Sequence, residues 1–276
     1  MFLTINIVLS ILLSILLYVL ICLKNNQDNP FLRYIWIIFV AFIGFFIVIT
    51  ALSFIIVYIW SLFVKPGKKK RKPFVTFVFT HFNKYLMDLG RVIVHTSGLN
   101  LVPNEKCMIV FNHTSNFDPM AIAYYLRKLD IISISKPGNF KIPICGPFMR
   151  AVDYLAIDRE NPRHAAITIN QSIHYIEENK YSVCVAPEGT RNKTGKGLLP
   201  FHDGTFKIAL KAKCPIVIIT VENTCMIHKN FPLKNTHVNL DVLRVLSYDE
   251  IKDLTTHEIS TIVYNEMATK LNLEEK

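Results

Sequence analysis

The sequence predicts an α/β fold, a mostly parallel sheet flanked by helices, preceded by an N-terminal two-helix membrane anchor. Two observations carry this expectation. No residue from Phe2 to Leu23 is charged, and none from Tyr34 to Val64, and each run reaches the ~20 residues that cross a bilayer as a helix. From Val92 onward, short apolar runs alternate with amphipathic stretches, the pattern of strands and helices taking turns around a parallel sheet. The chain is 51% hydrophobic yet carries 31 Lys+Arg, so apolar and charged residues must be segregated, and they are.

The first apolar run has no basic segment before it and no small-residue cleavage site before Lys24, so it reads as a retained anchor and not a removed signal peptide. At ~1.5 Å per residue the second run outreaches a ~30 Å hydrocarbon core, and is expected to tilt, protrude or break near Gly44. Lys65, Lys68, Lys69, Lys70, Arg71 and Lys72 follow directly. Positive charge beside a span marks the cytoplasmic side, so the expected location is the cell membrane with the remaining chain on its cytoplasmic face. The net charge of +10 is matched by anionic lipid headgroups; with the cations gathered beside an anchor and no recognition motif, a nucleic-acid partner is not expected. Cys22, Cys107, Cys145, Cys184, Cys214 and Cys225 show no metal-ligand spacing and read as buried free thiols in a reducing compartment.

Between residues 73 and 98, Phe74, Phe77, Val78, His81, Phe82, Tyr85, Leu86 and Leu89 recur at helical spacing. The stripe suits a helix that lies on the membrane surface or packs on the domain core. Strands are expected at Cys107–Phe111, Ile131–Ile134, Val183–Ala186, Ile216–Val221 and Val238–Val245, and helices at Pro119–Leu129, Arg163–Glu178, Thr205–Lys213 and Glu258–Leu271. Thr255 and Glu258 have the spacing of a capping box at the start of the last helix. The organisation is thus an anchor over 1–64, a basic juxtamembrane cluster with its amphipathic helix over 65–98, and a larger domain over 99–276.

Chemistry concentrates after two of the strands. Asn112-His113-Thr114-Ser115-Asn116-Phe117-Asp118-Pro119 follows the first, at the strand end where α/β folds place functional groups. Asp118-Pro119 reads as an N-cap and first helical residue. On one helix, residues five apart point about 140° from each other, but a loop turning into a capped helix lets the Asp118 carboxylate reach one ring nitrogen of His113. The other nitrogen is then left to accept a proton from an alcohol. Ala156-Ile157-Asp158-Arg159 ends a second apolar stretch. Ala186-Pro187-Glu188-Gly189-Thr190-Arg191 combines a tight turn with a planar guanidinium suited to phosphate. A P-loop, a G-x-S-x-G elbow and H-E-x-x-H spacing are all missing from the sequence.

With these residues in view, the sequence resembles the 1-acylglycerol-3-phosphate acyltransferases, within the glycerolipid acyltransferase superfamily. Asn112-His113 to Asp118 is similar to the family's N-H-x4-D block, Ile157-Asp158-Arg159 to its second, Pro187-Glu188-Gly189-Thr190-Arg191 to its third and Pro215-Ile216-Val217 to its fourth. The resemblance implies transfer of an acyl group from acyl-CoA or acyl-carrier protein to the free hydroxyl of lysophosphatidic acid, giving phosphatidic acid for phospholipid synthesis. It implies His113 as general base, Asp118 as its orienting partner, and Arg159, Glu188, Gly189, Thr190 and Arg191 as the acceptor site. Asn112, Lys136 and Lys207 are accessory candidates, with Lys141. No metal or cofactor is expected, because a base and oxyanion donors suffice for thioester alcoholysis. Cys107 and Ser115 need not be nucleophiles. Asp153 stands where the second block usually has glycine, Ala156 where it has an aromatic, Ala186 where the third opens with Phe, and His202-Asp203 where a lysine is common. These departures bear on headgroup and acyl preference, leaving another lysolipid or glycerol-3-phosphate as alternative acceptors and a lipid-binding membrane scaffold as the non-enzymatic alternative.

Overall fold

The computed structural model describes residues 1–25, 30–64, 73–142, 145–158, 161–194 and 197–273, and the chain divides into two compact units, 1–65 and 66–276. In the first, α1 (Phe2–Asn25) packs against α2 (Pro30–Phe63) with its polarity reversed relative to a soluble helix pair. Asn6, Ser10 and Ser14 recur every four residues, so they share one face, and that face is buried while Leu12, Leu16 and Leu20 are exposed. The Asn6 amide donates to Thr50 Oγ1 of α2 at 2.8 Å, and the Ser10 and Ser14 hydroxyls donate to carbonyls one turn back at 2.8 and 2.6 Å. Polar groups turned inward and leucines outward suit a hydrocarbon solvent. Both helices contain a stretch long and apolar enough to cross a membrane, Phe2–Lys24 and Trp36–Phe63, and through them the protein associates with the membrane. α2 continues through Gly44 without a break, so its excess length is not relieved there. The basic cluster at 65–72 lies outside the described residues.

The second unit begins with α3 (Pro73–Leu89), β1 (Val92–Ser97), β2 (Met108–Phe111), α4 (Asp118–Tyr125), β3 (Ile131–Ser135), α5 (Cys145–Ala151), β4 (Leu155–Ala156) and α6 (Pro162–Glu177). It continues through β5 (Ser182–Val185), α7 (Lys207–Ala212), β6 (Ile216–Glu222), α8 (Ile227–Asn230), β7 (Thr236–Leu246), α9 (Tyr248–Ile251) and α10 (Thr256–Lys270). The strands form one sheet in the order β1-β7-β6-β2-β5-β3-β4. Every neighbouring pair is parallel except β6 with β7. The central strands are unbroken aliphatic runs because both faces are covered. Met108, Val110, Ile216 and Ile218 face one core with Ile259 and Val263 of α10, and Ile109, Phe111, Val217 and Ile219 face the other with Met87 of α3 and Ile122 of α4.

α3 turns one side to this second unit. Val75, Phe79, Phe82, Tyr85 and Met87 are buried, with the Phe79 ring 5.3 Å from Phe148 of α5, whereas Phe74 and Phe77 are exposed. The expected capping box is present: Thr255 accepts from the Glu258 N–H and Glu258 accepts from the Thr255 N–H. β1 escaped the periodicity because it is an edge strand with only Val92 buried and so carries no apolar run along its whole length, and α5 because seven residues are too few to show a helical period.

The Asp153 position illustrates how a glycine can be replaced. Its φ is +61°, a left-handed conformation that aspartate tolerates better than most residues with a Cβ. Its carboxylate also accepts the hydroxyl of the fully buried Tyr181 at 2.6 Å. Asp153→Ala removes that acceptor and is expected to destabilise the fold by about 1–3 kcal/mol. In a Tyr181→Phe background the same substitution should cost clearly less in urea melts; an undiminished cost would show that the pair does not interact.

Candidate active site

β2 ends at Phe111, and the next residue is locked before the chain turns. Asn112 accepts the Val221 N–H at 2.7 Å and donates to the Val221 C=O at 3.1 Å, so its amide ties the start of the loop to β6 as a further rung of sheet would. The loop then folds back over Asp118. One carboxylate oxygen, Oδ2, accepts the N–H groups of Thr114 and Ser115, both at 2.8 Å, and His113 Nδ1 at 3.0 Å. The other, Oδ1, accepts the Thr224 hydroxyl, which also contacts Thr114 Oγ1 at 2.9 Å. Asp118 is the first residue of α4, and the N-cap is Phe117, one position earlier than the sequence suggests. The reason is that the carboxylate is spent on the loop and not on the helix's own first turn.

The Asp118 side chain is fully buried while that of His113 is 19% exposed. A carboxylate that only accepts fixes the proton on Nδ1 and leaves the Nε2 lone pair available. Nε2 can therefore take a proton from a bound alcohol. The Phe111 ring meets the imidazole edge to face with centroids 5.7 Å apart.

Two strands' worth of loop hold the histidine's backbone. After β5, Gly189 adopts φ +70° and its N–H closes a turn onto the Ala186 C=O at 3.1 Å, a geometry that favours glycine. The turn aims Glu188 inward, where it is buried. Its Oε1 accepts the His113 N–H at 2.7 Å and its Oε2 the Leu199 N–H at 3.1 Å. Four residues on, the Asn192 N–H donates to the His113 C=O at 2.7 Å. His113 is thus gripped at Nδ1, N–H and C=O from two segments, its own loop into α4 and the loop after β5.

Burial pushes the Glu188 carboxyl above the ordinary carboxylate range, and the N–H donors of His113 and Leu199 pull it part of the way back. An acid raised in the folded state binds more protons folded than unfolded between its two pKa values. Its contribution to stability therefore falls as pH rises through the folded value. The unfolding free energy of wild type minus that of Glu188→Gln is expected to decline in urea melts as pH rises above the ordinary carboxylate range of about 4. A difference that grows with pH would contradict the sign.

This geometry can be set beside known proteins. The acyltransferase family model, described as Acyltransferase, matches residues 93–222, the span holding His113, Asp118, Glu188 and Arg191. The 1-acyl-sn-glycerol-3-phosphate acyltransferase of Haemophilus influenzae is 34% identical over 120 residues, 44% of this chain and 49% of that protein. The protein of the same name from Salmonella typhimurium is 31% identical over 157 residues, 55% and 63% of the two chains. The crystal structure of the Thermotoga maritima 1-acyl-sn-glycerophosphate acyltransferase superposes with a TM-score of 0.59 at 19% identity, covering 73% of this chain and 81% of that one. That last likeness is one of fold. The chain is similar to acyltransferases over residues 93–222, a little under half of its length. It spans about half to just over three fifths of the length of these curated relatives.

The structure brings together His113, Asp118, Glu188 and the turn Gly189-Thr190-Arg191, whose next residue touches His113. Glu188 is buried, and each of its oxygens accepts one backbone N–H. Thr190 is exposed and Arg191 partly so. Arg159 lies outside the described residues. Lys136 is exposed just past β3, Lys141 is exposed at the end of the following turn, and Lys207 is exposed at the start of α7; none of the three bonds to the cluster among the described residues. Thr224 and Asn192 were not singled out from the sequence. The available signal for Thr224 was its place just after a buried strand; Asn192 offered none.

The cysteines divide. All six are free, with Cys107, Cys184 and Cys214 buried, Cys22 and Cys225 intermediate and Cys145 exposed, so the expectation of uniformly buried thiols fails at Cys145. Burial pushes the Cys107 thiol up to about 12, which keeps it protonated and poorly nucleophilic. Beside the Gly189 turn lies a cavity of about 290 Å³ walled by Ile134, Ile157, Ile169 and Val185, with His202 and Asp203 on its rim.

Proposed function

We propose that this protein is a membrane-bound 1-acylglycerol-3-phosphate O-acyltransferase that moves an acyl group from acyl-CoA or acyl-carrier protein onto lysophosphatidic acid. The observation that carries the proposal is the His113–Asp118 pair: Nδ1 is held by a buried acceptor carboxylate and Nε2 is left free at the carboxyl edge of the sheet. His113 Nε2 takes the proton of the acceptor hydroxyl as its oxygen attacks the thioester carbonyl. The tetrahedral oxyanion collapses, the C–S bond breaks, and the departing thiolate recovers the proton from the imidazolium. Ester forms, thiol leaves, and no acyl-enzyme is needed. Arg191, one residue from the His113 contact, and Arg159 supply the guanidinium groups for the acceptor's phosphate. The aliphatic cavity beside the same turn has the chemistry to take an acyl chain.

The printed names of the relatives favour the same acceptor. We place the anchor in residues 1–64 and the transferase in the second unit, into whose sheet β1 is built, and we place that unit on the cytoplasmic face, following the basic cluster after α2. A reporter fused after Lys72 that appeared outside would sink the topology.

The proposal is tested with detergent-purified protein, labelled acyl-CoA and lysophosphatidic acid, with product identified by mass spectrometry and competing lysolipids and glycerol-3-phosphate in parallel. Phosphatidic acid is the expected product. Acylation of a different acceptor in preference would reassign the substrate, and no transfer from either thioester to any of these acceptors would overturn the enzymatic reading in favour of a lipid-binding scaffold.

A further inference from the structure

Between Glu222 and Asp241 the sequence contains no acidic residue, and this stretch holds the whole connection from β6 to β7 and the start of β7. Its middle, Phe231 to Asn235, is exposed throughout. Leu233 is 82% exposed, more than any other large apolar side chain among the described residues, those on the two apolar helices included, and Phe231 and Met226 are 54% and 37% exposed. Apolar groups so placed are usually a sign of unfinished burial or of a partner. Here the backbone beneath them is firmly held. Ile227 is buried in the core, the Phe231 N–H donates to the Ile227 C=O at 3.0 Å, and the Lys234 N–H donates to the Asn230 C=O at 2.8 Å. Arg91 closes the loop from the other side, donating to the Pro232 C=O at 3.2 Å and to Asn235 Oδ1 at 3.0 Å.

The segment therefore presents Phe231 and Leu233 outward on a fixed support, with Lys229 and Lys234 flanking them and Arg91 beneath. An aromatic and a leucine framed by cations, with no carboxylate in the segment, match the interface of an anionic leaflet, apolar tips below the headgroups and cations among the phosphates. Its place matters as well. β6 runs parallel to β2, so this connection leaves the sheet at the edge that carries His113, and Thr224 at its start donates to Asp118.

We propose that Met226 to Lys234 is a membrane wedge of the transferase unit, inserting Phe231 and Leu233 into an anionic leaflet and seating the His113 edge at the lipid interface. This needs membrane association but not acyl transfer, so its test does not rest on activity.

The sequence has two tryptophans, Trp36 and Trp60, so the full chain with Trp36→Phe, Trp60→Phe and Leu233→Trp carries a single reporter. In vesicles of phosphatidylcholine with phosphatidylglycerol, lipids brominated on the acyl chain are expected to quench more than half its emission, with a blue shift. Asn104→Trp in the same background sits before β2, at the opposite edge, and is expected to stay unquenched. Phe231→Trp repeats the test should the Leu233 variant fail to fold. Adding Lys229→Glu and Lys234→Glu should at least halve the quenching. Reporters at 231 and 233 as unquenched as the one at 104 would overturn the wedge. So would a blue shift without bromine quenching, which would mean that a second copy of the chain covers the site.

Discussion

His113→Ala is expected to lower kcat for acyl transfer about 10²–10⁴-fold, the usual contribution of a general base, while shifting Tm by no more than about 2 °C. The two halves of this expectation have different origins. The activity depends on Nε2, the one imidazole nitrogen not committed to the protein's own structure. The stability does not depend on the ring, because the backbone of His113 stays gripped by Glu188 and Asn192 and Asp118 keeps three other donors. Rates on labelled acyl-CoA and lysophosphatidic acid together with a thermal melt decide it. Full activity in the variant would remove His113 from the chemistry.

Asp118→Ala is expected to damage both properties. It removes the acceptor shared by the Thr114 and Ser115 N–H groups and the Thr224 hydroxyl, at about 1–3 kcal/mol each before relaxation. A loss of about 3–5 kcal/mol in urea melts is the expected sum, since neighbouring losses are not additive. Activity falls by a similar 10²–10⁴-fold. Asp118→Asn separates the two. Its amide oxygen still accepts from the loop, so most stability should return. The charge that steadies the imidazolium formed during proton transfer does not return, and activity should stay depressed. An Asn variant restored in both would show that Asp118 is only a structural clamp.

Much of the fold is visible in local pattern because local pattern is its cause. The charge-free runs before Val64 leave no choice but a membrane or a partner of equal apolarity. The runs at Cys107–Phe111 and Ile216–Val221 are continuous because both faces of a central strand are buried. The capping box at Thr255 and Glu258 is a contact three residues long and so is written in three residues. The pairing of His113 with Asp118 is nearly as local, a turn of five residues.

By itself the sequence determined the α/β fold class, the apolar helix pair and the candidate His113–Asp118 pair, since each follows from composition, period or short-range spacing. Tertiary structure alone decided what those residues rest on. Thr224 lies 106 positions from Asp118, and Glu188 lies 75 from His113. Only strand order β6-β2-β5 brings their loops to one edge. That order sets the buried Glu188 against the histidine's backbone, and the reversed direction of β7 carried an apolar, cationic connection to the same edge. Such contacts leave no local signature, because burial and hydrogen bonding depend on which segments the sheet makes neighbours.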